Sequence, residues 1–206
     1  MAMTVLRAKG RPLSAWKNGK GFTSELAVFP YGADLETFGW RVSIAEVRES
    51  GPFSNFPGID RSLAVLEGTL ALSIDGAAAV SLSAGTGPIA FAGDIPCMAA
   101  LQGSGIAKDL NVMTRRGQFL SRMRLVTADG PVPVLPKACA TVLVTLCGST
   151  LEVDGSVVAL EPLDAVFCDG PMTGEERFSH ARSVNGAGPS GPYVIQIFAE
   201  QLPTSA

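Results

Sequence analysis

Apolar residues along this chain come in short bursts separated by glycine, proline and aspartate. The runs Ser62-Leu63-Ala64-Val65-Leu66, Leu70-Ala71-Leu72-Ser73-Ile74, Thr141-Val142-Leu143-Val144-Thr145-Leu146 and Tyr193-Val194-Ile195-Gln196-Ile197-Phe198 are each bounded by turn formers. Such spacing predicts strands. In the stretch from Trp40 to Val47 the alternation is explicit. Trp40, Val42 and Ile44 fall on one face and Arg41, Ser43 and Ala45 on the other, because successive strand side chains point to opposite sides. With the first face in a core, Arg41 and Ser43 point to solvent or into a barrel interior, and the outward reading is the simpler one. No helical period is sustained. The best stretch, from Met113 to Met123, is broken by Gly117. The polar, glycine-rich stretch from Met172 to Pro192 reads as a long surface loop.

One short pattern occurs twice, about eighty residues apart. Leu66-Glu67-Gly68-Thr69-Leu70 runs on to Ile74-Asp75-Gly76 and then to Phe91-Ala92-Gly93-Asp94. Leu146-Cys147-Gly148-Ser149-Thr150 runs on to Val153-Asp154-Gly155 and then to Phe167-Cys168-Asp169-Gly170. The Asp-Gly pairs predict hairpin turns, since glycine accepts positive φ. A repeated strand-turn-strand unit implies an all-β fold of two similar barrels. The expected division is residues 1–122 and 123–206, with the halves meeting near residues 118–132.

Composition narrows the function. The 206 residues, 47% hydrophobic and 17% charged, suffice for a sizeable core. The net charge of −3 argues against a general nucleic-acid surface. Residues 1–122 hold 12 Lys and Arg against 10 Asp and Glu, and residues 123–206 hold 4 against 9, so the basic chemistry sits in the first half. No apolar run approaches a membrane span and no secretory apolar region follows Met1, which predicts a cytoplasmic protein. Cys97, Cys139, Cys147 and Cys168 form no CxxC pair and read as buried free thiols.

The single histidine, His180, excludes a histidine metal cage, speaks against a Ser-His-Asp triad, and is expected to be solvated in the polar loop. The densest polar segment runs from Trp16 to Leu26. It gathers Trp16, Lys17, Asn18, Thr23 and Glu25 around Gly19 and Gly21, as a ligand loop or a solvated turn. A third segment, Lys108 to Arg116, places Asp109, Asn111 and Met113 on one side of an extended chain.

These residues in this order resemble the HutD/Ves family of cupin-like proteins. They are Trp16-Lys17-Asn18-Gly19, Thr23, Glu25, Trp40-Arg41, Ser43, Ala45, Gly51-Pro52-Phe53-Ser54, Phe56-Pro57-Gly58, Asp60-Arg61, and Asp109-Leu110-Asn111 with Met113, Arg115 and Arg116. The match is strong over roughly the first 120 residues. Lys20 and Ser24 depart from the family pattern of glycine and arginine, which alters charge and shape at the loop mouth. The resemblance implies a bicupin, two tandem cupin-type barrels of RmlC-like jelly-roll form. It also implies a role in histidine utilisation without demonstrated catalysis, and a small pathway metabolite as ligand, N-formylglutamate being favoured. Against the metal-binding cupin pattern, Arg61 stands at the glutamate position. Asn55 and Pro57, or Ser54 and Phe56, replace the paired histidines, and the last histidine falls near Pro96. The resemblance therefore implies no metal and no cofactor. A cation at Arg61 repels a divalent ion and welcomes an anion.

On this reading Arg41 and Arg61 are carboxylate clamps, because a guanidinium fork pairs bidentately with a carboxylate. Lys17 adds charge, Asn18, Thr23, Ser43 and Asn111 supply hydrogen bonds, Trp16 covers an apolar ligand face, and Glu25 and Asp109 orient the basic groups. The partner is a small carboxylate metabolite, with no nucleic acid and no membrane. The second barrel, poor in basic residues, is structural or a homodimer surface. A different reading is a cofactor-free isomerase or hydrolase of a small acid, with Glu25 or Asp109 as base and Lys17 as acid. A third is a protein-interaction module, for which two Trp and two Tyr offer few anchors.

Overall fold

The computed structural model describes residues 2–16, 19–103, 105–127, 129–171, 173, 178–182 and 191–200. Among them are nineteen strands and no helix, hence no helix able to cross a membrane. The strands are β1 (Ala2–Leu6), β2 (Ser14–Ala15), β3 (Gly21–Phe29), β4 (Trp40–Val47), β5 (Gly51–Pro52), β6 (Ile59–Glu67), β7 (Thr69–Ile74), β8 (Val80–Ser83), β9 (Ile89–Ala92) and β10 (Cys97–Leu101). They continue as β11 (Ala107–Arg115), β12 (Phe119–Leu125), β13 (Gly130–Pro131), β14 (Ala140–Val144), β15 (Ser149–Val153), β16 (Ser156–Leu160), β17 (Ala165–Asp169), β18 (Phe178–Arg182) and β19 (Tyr193–Ala199).

The chain forms two compact units, Pro12–Leu120 and Met1–Arg11 with Ser121–Glu200. The first has a six-stranded sheet, β2-β3-β4-β11-β6-β9, and a four-stranded sheet, β5-β10-β7-β8. Leu63 and Val65 of the former share one core with Leu70, Leu72 and Ala99 of the latter. The other unit has a five-stranded sheet, β1-β17-β14-β19-β12, and a four-stranded sheet, β13-β18-β15-β16. Leu143, Val166 and Val194 there meet Leu151, Val153 and Phe178.

The sequence repeat is a repeat of topology. β6 lies between β11 and β9, and β7 between β10 and β8. Eight strands later, β14 lies between β19 and β17, and β15 between β18 and β16. Both Asp-Gly pairs turn the chain with positive φ, 53° and 71° at Asp75 and Gly76, 47° and 81° at Asp154 and Gly155. In the second copy Val153 pairs with Ser156, so Asp154-Gly155 is a two-residue hairpin loop whose twist matches its strands.

Three expectations change. The stretch 113–123 is the end of β11, a turn, and the start of β12, because Gly117 takes φ 80° between two strands. The expected loop 172–192 contains β18. His180 is not solvated but 1% exposed. It lies opposite Leu151 on the face that also carries Phe178, so strand alternation draws it inward despite its polar neighbours. Its Nδ1 is 3.7 Å from the Asp129 carboxylate. The cysteines are free, with Cys97, Cys147 and Cys168 buried and Cys139 half-buried.

β1 joins β17 rather than the strands that follow it in sequence. The buried carboxylate of Asp164 anchors the chain just after β1. Oδ2 accepts from Arg7 Nη1 at 2.7 Å and from the Glu161 amide at 3.0 Å, and Oδ1 from the Ala8 amide at 2.7 Å. Burial pushes this carboxyl up, but the bonds from Ala8, Arg7 and Glu161 outweigh it and hold it below its ordinary value. Asp164→Ala is expected to lower the unfolding free energy near neutral pH by about 2–3 kcal/mol, read from urea melts. The contribution is present above the unfolded carboxylate's pKa of about 4, and is lost as pH falls through the depressed folded value. An unchanged urea midpoint at pH 7 would show that the β1 ladder alone holds this segment.

Candidate functional site

The polar residues of the first unit meet on the inner face of its six-stranded sheet. Directly opposed residues of an antiparallel ladder point the same way. One row runs Val28, Arg41, Met113, Arg61, Phe91 across β3, β4, β11, β6 and β9. The next runs Glu25, Ser43, Asn111, Leu63, Ile89, and the third Thr23, Ala45, Asp109, Val65. Leu63 and Val65 belong to the core, so this face is the interior. Arg41 and Ser43 therefore point inward, against the simpler outward reading. The reason is that the opposite face is also buried, with Val42, Leu110 and Val112 all at 0% exposure.

Arg61 is 6% exposed and makes no ion pair among the described residues. Its Nε and Nη2 donate to Asn111 Oδ1 at 3.2 and 2.9 Å. Asn111 Nδ2 in turn donates to Asp109 Oδ1 at 2.8 Å. The amide orientation follows from chemistry, since a guanidinium only donates and a carboxylate accepts. The Arg61 Cζ lies 5.1, 5.8 and 5.1 Å from the ring centroids of Phe53, Phe56 and Phe91, within cation–π range. Burial lowers the Arg61 pKa, opposed chiefly by electrostatic interaction with Asp109.

Asp109 is 1% exposed, and its Oδ2 is buried without a hydrogen-bond partner. Burial pushes its carboxyl up to about 7, against the pull of Arg61 and of the Asn111 bond. Burial also raises the Cys97 thiol, opposed by Arg61 and reinforced by Asp109, which keeps it protonated and unreactive.

Backbone contacts set the aromatic walls. The Phe53 amide donates to Cys97 O at 2.9 Å and the Phe56 amide to Gly93 O at 2.8 Å. A Cβ on Gly93 would stand 2.9 Å from Ile59 O and 3.3 Å from Arg61 Cδ, so only glycine lets this turn close over Arg61. Arg116 fastens the same corner from outside, to Asp60 at 2.7 Å and Asp94 at 3.0 Å.

Of the sequence-derived candidates, Arg61, Asn111 and Asp109 form one hydrogen-bonded chain, with Ser43 beside Asn111 in the ladder. Arg41 and Glu25 instead pair with each other at 2.8 Å. Trp16 Nε1 donates to Thr23 Oγ1 at 2.7 Å, and its ring packs on the core. A Cβ on Gly21 would press on that ring at 3.1 Å and on the Glu46 carbonyl oxygen, which explains the glycine there. Lys17 and Asn18 lie outside the described residues. Lys20 reaches Glu49 at 4.0 Å. Phe53, Phe56, Phe91 and Cys97 were not singled out as site residues. Phe53 and Phe56 sit in the Gly51 to Arg61 motif and Phe91 in the repeated turn signal, so their signal was present as motif rather than as chemistry. Among the described residues no three of His, Cys, Asp and Glu converge as metal ligands.

A family model described as HutD matches residues 8–184. An uncharacterised 21.2 kDa protein from the hutC 3′ region of Pseudomonas putida is 37% identical over 152 residues, 73% of this chain and 77% of that protein. Protein Ves of Citrobacter koseri is 36% identical over 115 residues, 55% of this chain and 59% of its own length. HutD from Pseudomonas fluorescens superposes with a TM-score of 0.78 at 28% identity, covering 97% of this chain and all of that one. A cupin 2 conserved barrel protein of Leptotrichia buccalis, at 9% identity and TM-score 0.54 over 91% and 92% of the two chains, shares the fold alone.

The raised carboxyl carries a stability signature. A folded-state pKa above the unfolded value of about 4 means that folding takes up a proton between that pH and about 7, and stability falls as pH rises through this window. The loss is on the order of a few kcal/mol. Asp109→Asn keeps an acceptor for Asn111 and removes the titration. Its unfolding free energy relative to the native protein should therefore grow from pH 4 to pH 8 in parallel urea melts. A constant difference would show that Asp109 titrates as an ordinary carboxyl.

Proposed function

The chain belongs to the HutD family, and from that premise we propose that it binds a small carboxylate intermediate of histidine breakdown, with N-formylglutamate as the leading candidate. The binding is metal-independent, takes place in the cytoplasm, and serves to sense or buffer that intermediate. Within a two-barrel protein the Pro12–Leu120 unit carries the ligand, and the other unit is structural. The HutD name suggests the pathway.

The observation that carries this reading is the buried, inward-facing guanidinium of Arg61, bonded to the neutral Asn111 rather than to a carboxylate. A buried cation that makes no ion pair among the described residues gains from an arriving anion far more than an exposed one, because the interior dielectric is low. Arg41 is already engaged by Glu25, so Arg61 is the principal clamp. Asn111 and Ser43 on the same face offer amide and hydroxyl hydrogen bonds to a formyl or amide group.

A second reading has one observation behind it. A carboxyl titrating near 7 is tuned for general base work, so Asp109 would serve a cofactor-free isomerase or hydrolase of a small acid. Glu25, the other candidate base, is paired with Arg41 at 2.8 Å.

A thermal-shift panel of histidine, urocanate, formiminoglutamate, N-formylglutamate and glutamate separates these readings. N-formylglutamate at about a hundred times its dissociation constant should stabilise by about 2.7 kcal/mol and raise the Tm by a few degrees, with or without chelator. Arg61→Met, which keeps the packing against the three phenyl rings and removes the charge, should abolish the shift. Consumption of the acid during incubation would establish the enzyme instead. An undiminished shift in Arg61→Met would place the clamp elsewhere.

A further inference from the structure

The Arg61–Asn111–Asp109 chain ends on an oxygen that none of the described residues uses. Asp109 Oδ1 is taken by Asn111, and Oδ2 is buried and unbonded. A buried carboxylate oxygen left unpaired is costly, and natural structures keep few of them. Oδ2 is also the one place on this carboxyl where a proton can sit without disturbing the chain, since Oδ1 accepts from Asn111 in either protonation state. Deepening the reading above, and resting on it, we propose that the site takes a small carboxylate together with one proton, Arg61 holding the anion and Asp109 Oδ2 receiving the proton as the anion arrives.

The argument is one of charge inside a low-dielectric interior. With Asp109 ionised, its charge and that of Arg61 nearly cancel, and an incoming carboxylate meets a like charge two residues from the clamp's hydrogen-bond partner. With Asp109 neutral, Arg61 is an uncompensated buried cation and the anion meets attraction alone. Ligand binding therefore favours the protonated form, as it does wherever two carboxylates share one apolar site. The surroundings of Asp109 leave few other proton acceptors. Arg61 reaches it from β6, Cys97 from β10, and the Arg41–Glu25 pair lies along the same face on β4 and β3. Glu46 and Lys108 fall on the opposite face of β4 and β11, and Lys108 is paired with Glu67 at 2.8 Å. β5, β7, β8 and β9 carry no titratable side chain. Once protonated, Oδ2 becomes a hydrogen-bond donor. That defines the ligand class further, as an acid bearing a second acceptor oxygen such as a formyl or amide carbonyl.

Calorimetric titration of the native protein with N-formylglutamate, in two buffers of different ionisation enthalpy and from pH 6 to pH 9, tests this directly. The ligand's own carboxylates, with pKa near 4, stay ionised throughout. Net uptake of up to one proton is expected, with Kd weakening towards tenfold per pH unit at the alkaline end. Asp109→Asn should bind with no proton uptake and no pH dependence. Should that variant fold poorly, carbon-13 NMR of the native protein provides the second reading: the Asp109 carboxyl should titrate at higher pH with ligand than without. Butyrate, which has no second acceptor oxygen, should bind at least tenfold more weakly than N-formylglutamate, and equal affinity would remove the donor role. Binding that is flat with pH and releases or takes up no proton overturns the inference and leaves carboxylate binding standing. No binding of any tested acid at any pH overturns both.

Discussion

Taking a guanidinium out of water has an effective penalty of several kcal/mol, and the arrangement around Arg61 is shaped by that penalty. Three phenyl rings offer about 0.5–2 kcal/mol each as cation–π partners, and a double hydrogen bond to Asn111 adds roughly 1.5–3 kcal/mol. These terms are comparable to the penalty and suffice to keep Arg61 inside. They do not neutralise it. Asp109, which shares the Asn111 amide with Arg61, is itself buried and its carboxyl is pushed up to about 7, so it is a weak counter-ion. The interior is left with a cation that is solvated by the protein but only weakly balanced, the electrostatic condition that the proposed carboxylate binding rests on.

Everything that holds Arg61 in place follows from strand register. β11 is the central strand of the site, flanked by β4 and β6. Because its partners align residue for residue from Asp109 to Met113, a single alternation puts Asp109, Asn111 and Met113 inside together with Ser43 and Arg61. A slip of one residue would send all of them to the other face. The outer-face residues Val42, Leu110 and Val112 are themselves fully buried, so such a slip would drive the polar groups into that apolar packing and part them from their hydrogen-bond partners. The register is thus protected from both sides. The irregularity between Lys108 and Asp109 falls at the inner end of this ladder, where β6 gains its extra residue without moving the aligned pairs beyond it.

The fold was legible in the residues because it is written in local terms. Short apolar runs, two Asp-Gly turns and a repeated Gly68 and Gly148 are each read within a few positions, and they recur as matching strand neighbours. Arg61, Asp109 and Asn111 were legible as chemistry but not as a chain, since Arg61 and Asn111 stand fifty positions apart and meet only through the β6–β11 ladder. Arg41 illustrates the limit. Its strand pattern permitted two faces, and the choice between them rests on the burial of the opposite face, which no single strand reveals. His180 failed for a related reason. Its neighbours in sequence are polar, while its neighbours across the sheet are Leu151 and the core around it. The aromatic walls were visible only as motif, because a phenylalanine beside a proline says nothing about a cation until the turn is folded over it.

The internal repeat supplies a comparison within one chain. Aligning Gly68 with Gly148 sets Arg61 against Thr141 and Leu63 against Leu143. In the first unit Leu63 lies opposite Asn111, whereas Leu143 lies opposite Val194. Thr141 lies opposite Gln196, whose amide bonds to the backbone of Leu135, accepting at 2.9 Å and donating at 2.9 Å. The corresponding positions of the second unit thus replace a cation and its amide partner with a hydroxyl and a valine, and the Gln196 amide beside them serves the chain itself. The same pairing order accommodates both interiors, so the polar chain in the first unit is not a requirement of the topology. A fold that packs well with Leu143 and Val194 at these positions gains no stability from burying a guanidinium and a carboxylate instead. Burying them is a cost that packing alone does not explain, and the proposed carboxylate binding supplies a reason for it.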